Sequence, residues 1–164
     1  MSTNDQPLPG LAAPRVVISK RERRLQLFDG NDLVKTYRIA LGFMPVGDKI
    51  GEGDGRTPEG DFYIFTKNPK SRYHLSLALS YPNINAAERG LQSGLISQEE
   101  HDAIVDAVRE QKKPPQKTRL GGEIYIHGGG AEDDWTRGCI AIADQDIEEL
   151  FNAAAVGTPV RIEP

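Results

Sequence analysis

The sequence has one cysteine, Cys139, so no disulfide can form within the chain and no cluster of thiolates can hold zinc. Its three histidines, His74, His101 and His127, fit no zinc-ligand spacing, and no metal is expected. An excess of positive charge is also missing. With 20 Lys and Arg against 24 Asp and Glu, the net charge is −4. That balance argues against a nucleic-acid partner, which requires a basic face to neutralise phosphates. No apolar run approaches the length that spans a bilayer, so no membrane span is expected. Residues 1–14 are polar and carry Pro7, Pro9 and Pro14, with neither the basic start nor the apolar core of an export signal. They are read as a flexible N-terminal segment.

What is present fits one globular domain from Arg15 to Pro164. A chain of 164 residues with 38% hydrophobic content can bury a core without staples. Alternating apolar runs predict strands at Val16–Ser19, Arg24–Phe28 and Leu33–Leu41, with Asp29-Gly30-Asn31 turning the last two of these into a hairpin. Phe43–Pro58 is rich in glycine and charge and reads as a loop beside the site, launching a strand at Asp61–Thr66. A further strand is expected at His74–Tyr81. Asn85–Gln111 has helical spacing and a Ser97/Glu100 capping box, which marks a helical insertion at about 85–112 whose plain role is packing and whose functional role would be a lid. A last helix, Gln145–Ala155, is predicted behind an Asp144 cap, followed by a strand at Val160–Ile162. Strands dominate, so the expected class is mainly β, a sandwich or barrel-like body with peripheral helices.

The chemistry concentrates in Ile124–Ile142, where His127 closes one β-like run and Cys139 opens another, with a Gly-rich loop between. A thiol and an imidazole at adjoining strand edges suit nucleophilic attack on a carbonyl, the imidazole holding the sulfur as thiolate. The plainer reading is a buried, inert thiol. Asp133 and Asp134 are adjacent on a loop and diverge, which makes them poor acid/base partners for glycoside hydrolysis.

The motif His127-Gly128, a variable loop, then Thr136-Arg137-Gly138-Cys139 resembles the L,D-transpeptidase catalytic domain, the YkuD family. Gly51–Ile64 with its Thr57-Pro58-Glu59-Gly60 turn, Ser80-Tyr81-Pro82-Asn83 and Gly157–Ile162 agree with it. The wording Asp134-Trp135-Thr136-Arg137-Gly138-Cys139-Ile140-Ala141 looks nearest to a proteobacterial, YafK-like branch.

The resemblance implies a β-sandwich of mixed sheets with the site in a groove between loops. It implies Cys139 as nucleophile and His127 as base, with the Gly128 carbonyl orienting the imidazole and backbone N–H groups around Gly138 and Cys139 meeting the oxyanion. Thr136, Trp135, Arg137, Tyr81 and His74 are secondary candidates for substrate contact, each with an ordinary packing, capping or ion-pairing role as its rival. No cofactor is called for. The implied partners are peptidoglycan stem peptides and an envelope lipoprotein, and the implied location is the periplasm or cell envelope. The implied reaction is acyl transfer at the L-centre of diaminopimelate through a thioester, ending in 3→3 cross-links, protein attachment or hydrolysis. Hydrolysis would make the protein an amidase, an L,D-carboxypeptidase or a delivered wall-degrading toxin; a noncatalytic wall-binding module is the reading from another class. Many members carry Arg or Asn two residues past the cysteine, where this chain has Ala141.

Overall fold

A computed structural model describes residues 10–164; residues 1–9 of the N-terminal segment lie outside the described residues. Leu11 packs against the core, and the Ala13 N–H donates to Asp29. Three strands then form a meander: β1 (Pro14–Ser19), β2 (Arg24–Asp29) and β3 (Asp32–Arg38). The predicted hairpin turns at Gly30, whose φ of 60° suits the residue without a Cβ.

The predicted strand at Asp61–Thr66 is longer in the structure. β4 (Gly60–Ser71) pairs through Gly60–Tyr63 with β8 (Pro159–Glu163), and from Ile64 onward with β5 (His74–Leu79). One strand thus serves two halves of a sheet. The full order is β3-β2-β1-β8-β4-β5-β6-β7, where β6 is Tyr125–His127 and β7 is Ile140–Ala141. β1–β8 and β6–β7 are parallel and the other pairs antiparallel, giving the mixed pairing expected of the mainly β class.

The sheet curls until its far edges meet. Just past β3, Ala40 exchanges both backbone hydrogen bonds with Ala141 of β7, at 2.8 and 3.0 Å. The enclosed core includes Ile18, Leu27, Ile64, Leu77, Leu79, Ile126 and Ile140. Burying such side chains contributes roughly 1.5–3 kcal/mol each.

The helical stretch divides into two helices rather than one: α1 (Ile84–Gln92) and α2 (Gln98–Arg109). The sequence carries the reason, since Gly94 takes φ 76° and the Ser97/Glu100 capping box starts a new helix. These helices cover a second small core of Ala87, Ile96, Ile104, Val105 and Leu120. The last helix, α3 (Asp144–Ala153), lies against β5 and β6 and has Ala143 as its N-cap, so Asp144 is not the cap. Its carboxylate instead accepts the Gly129 N–H at 2.8 Å and tethers the Gly-rich loop. No helix among the described residues is long and apolar enough to cross a membrane.

Candidate active site

The outward face of β4, β5, β6 and β7 builds one cleft. Strand register puts Ser76 opposite both Asn68 and His127, and Ala78 opposite both Thr66 and Tyr125. All six line a cavity of about 480 Å³ together with Cys139. In the parallel pair, Ile126 faces Ile140 and His127 faces Ala141. That register sets Cys139 level with Tyr125, whose N–H points at Sγ from 3.4 Å. Cys139 and His127 therefore share one face of adjacent strands, because side chains two residues apart on a strand point the same way.

His127 is buried, and its orientation is fixed. Nδ1 lies 2.6 Å from the Gly128 carbonyl, which can only accept, so the proton sits on Nδ1 and the Nε2 lone pair is free. The imidazole stacks on Tyr73 at 4.6 Å and meets the edge of Trp135 at 5.6 Å. Tyr73 reaches it from the turn between β4 and β5, and its carbonyl accepts the Gly128 N–H at 3.0 Å. A Cβ on Gly128 would stand 2.5 Å from Asp144 Oδ1 and 2.8 Å from that same carbonyl, so the position admits no side chain.

The electrostatics weigh against a resting thiolate. Burial pushes the Cys139 thiol up to about 11, helped by Glu123 and opposed by the Tyr125 N–H and Lys49. Burial also holds the His127 imidazole below its ordinary value, against the opposing pull of its Gly128 hydrogen bond. Low dielectric penalises both charged forms, so the pair rests as neutral thiol and neutral imidazole. The thiol donates to the Glu123 carbonyl at 3.4 Å, and among the described residues no hydrogen bond joins it to His127.

The turn before Cys139 is fixed by Thr136. Its hydroxyl donates to the Cys139 carbonyl at 2.7 Å and accepts the Gly138 N–H at 3.1 Å. That places Thr136 in the backbone of the turn rather than in the cleft, and it removes the Gly138 N–H from the oxyanion donors. The Cys139 N–H has no partner among the described residues. Gly138 itself takes φ 137°, and a Cβ there would lie 2.9 Å from the Arg56 carbonyl.

The remaining predicted residues fall on different sides. Trp135 flanks His127 and donates to the Gly130 carbonyl at 3.0 Å. Arg137 is exposed and outside the cavity lining, and the nearby Asp134 pairs with Arg23 at 2.8 Å. Tyr81 does not reach the cleft: it lies past the end of β5, buried, with its hydroxyl on the Leu120 carbonyl at 2.8 Å. His74 also points away. Its φ of 75° at the hairpin swings the ring toward Glu148, 2.8 Å distant on α3. The helical insertion contributes no residue to the cleft. Tyr73, Ser76 and Tyr125 were missing from the sequence-based site; alternation hints at a shared face for Ser76 and Tyr125, and nothing does so for Tyr73 in its turn.

A curled mixed sheet presents a cysteine and a backbone-oriented histidine in one cleft. The sequence model of the L,D-transpeptidase catalytic domain, YkuD, matches residues 13–162, and the chain belongs to that family. A Bacillus licheniformis protein provisionally named L,D-transpeptidase YkuD is 24% identical over 167 residues, taking in 96% of this chain and 73% of that protein. Among solved structures, the helical cell shape determining protein Pgp2 of Campylobacter jejuni matches with TM-score 0.63 and 24% identity, over 92% of this chain and 47% of its own. Bd1075 of Bdellovibrio bacteriovorus gives 0.61 and 20%, over 93% and 48%. L,D-transpeptidase 3 of Mycobacterium tuberculosis, solved with a faropenem-derived adduct, gives 0.53 and 12%, over 93% and 60%. These structures share the fold, and the chain spans about half the length of Pgp2 and Bd1075.

Proposed function

We propose that this domain is a cysteine acyl-transfer enzyme of the cell envelope, acting on peptidoglycan stem peptides at the L-centre of diaminopimelate. The observation that carries the reading is the fixed tautomer of His127, which leaves Nε2 as a base on the strand face that also bears the Cys139 thiol. As Sγ bonds to the amide carbon, its proton passes to His127 Nε2. The Cys139 N–H stabilises the oxyanion. The leaving amine then takes the proton from His127, and a thioester remains. His127 next takes a proton from the incoming water or amine as it bonds to the acyl carbon, the carbon–sulfur bond breaks, and His127 returns that proton to Sγ, restoring the thiol.

Among acceptors, we favour water. Ala141 is fully buried opposite His127 and offers no polar group where many relatives have Arg or Asn. Purified muropeptides incubated in water enriched in heavy oxygen test this. Hydrolysis places the label in a new carboxyl group, whereas unlabelled dimers would return the chain to cross-linking and released lipoprotein peptides would identify a protein-linked substrate. Faropenem, from which the Mycobacterium tuberculosis adduct derives, gives a simpler test of the nucleophile. A covalent mass gain absent from Cys139→Ala is expected; no gain in the parent protein, with muropeptides also unchanged, would reject the enzymatic reading.

A further inference from the structure

The cleft is electrically polarised in a protein of net charge −4. Lys70 and Arg72 line it on the hairpin side, and Glu123 is the only acid of the lining. Glu123 belongs to the nucleophile's end, where its carbonyl meets Sγ. Several cations elsewhere are neutralised in place: Lys20, Arg23, Lys35, Lys49, Arg89 and Arg161 have carboxylate partners within 3.0 Å. Lys70 and Arg72 have none among the described residues.

Their support is rigid where it counts. Arg72 adjoins Tyr73, its guanidinium carbon 5.6 Å from the Tyr73 ring centre. Tyr73 is fastened to His127 by the stack and to Gly128 by a backbone hydrogen bond. The tip carrying the two cations is thus held in register with the base. A guanidinium presents paired N–H groups that match a carboxylate in two-point contact, and an ammonium beside it adds charge.

We propose that Arg72 and Lys70 bind the terminal carboxylate of the peptide in the cleft and select donors in which that carboxylate is free. This rests on the reading above that the cleft takes a stem peptide. It also sets the direction of the chain: the carboxyl end lies under the hairpin tip, and cationic groups of the substrate lie toward Glu123.

The test uses Cys139→Ala protein, which binds without turnover, and a stem tetrapeptide ending either in a free carboxylate or in a carboxamide. Calorimetry should give at least about tenfold tighter binding of the carboxylate form, the scale of one charge-assisted contact. Adding Lys70→Gln and Arg72→Gln should make the two peptides equal, while Arg72→Lys should keep part of the preference. A preference that survives the double substitution overturns the proposal, as does equal or undetectable binding of both peptides by Cys139→Ala. Failure of the catalytic reading would appear separately, as the absence of a covalent adduct on the parent protein.

Discussion

The Tyr73 and His127 rings lie 4.6 Å apart and within 23° of parallel, so the tip of the β4–β5 hairpin forms the roof of the imidazole. The stack ties a loop residue to the base and excludes water from one of its faces. Burial is the main cause that lowers the His127 pKa, and Tyr73 supplies part of that burial.

Tyr73→Ala should therefore raise the His127 pKa toward 6.5. In the parent protein the imidazole stays a free base to lower pH than an exposed histidine, so the acid limb of kcat/KM falls below 6.5. The variant should move that limb upward and leave the alkaline side alone. An unmoved limb would show that Tyr73 does not shield the base.

Cys139→Ala should abolish adduct formation and product release while changing stability by no more than about 1 kcal/mol, since only a small, half-buried side chain is shortened. Product masses and a thermal melt check both halves. Residual turnover would remove Cys139 from the mechanism.

His127→Ala should lower turnover by roughly 10²–10⁴-fold, the scale of a positioned general base. Because the pair rests neutral, alkylation of Cys139 in the parent should rise only as pH climbs toward about 11. A plateau near neutrality would instead reveal a preformed thiolate, and alkylation followed against pH decides between them.

The same thiol makes stability depend on alkali. Its pKa rises from 9.0 unfolded to about 11 folded, so above pH 9 the unfolded chain holds fewer protons and folding stability falls until about pH 11. The thiol's share of this loss should be absent in Cys139→Ala, while the raised tyrosines Tyr37, Tyr63, Tyr81 and Tyr125 keep theirs at higher pH. Denaturant titrations across that window measure it.

Thr136→Val removes a hydroxyl that both donates and accepts within the turn before the nucleophile. It should cost about 1–3 kcal/mol, the range for stranding buried polar groups, and Thr136→Ser should recover most of it. Melting curves together with adduct rates would show whether the turn or the thiol suffers first.

Much of this was legible in the chain because it depends on local pattern. Period-two alternation located most of the strands, and the Thr136–Cys139 motif drew attention to Cys139 together with His127, which the fold brings to one cleft. The misplacements arise from tertiary folding. Tyr73 gave no signal because its stack exists only after the hairpin folds over β6. His74 shares strand parity with Ser76 and Ala78, yet its left-handed backbone turns it to α3. Tyr81 follows the strand's end, where alternation no longer decides direction. Asp144 stands where a cap is common, and the competing N–H of Gly129 claims it. The burial that opposes a charged Cys139–His127 pair is likewise invisible in composition.

The position of β8 bears on when activity can arise during synthesis. Residues 159–163 run between β1 and β4 and join the half that begins the fold to the half that carries the cleft. A nascent chain that has already released Cys139 from the ribosome still lacks that seam. Non-local strand pairing waits for its partner, however long the earlier segments have been free. The seam between the two halves of the sheet thus closes last, after every residue that lines the cleft has emerged.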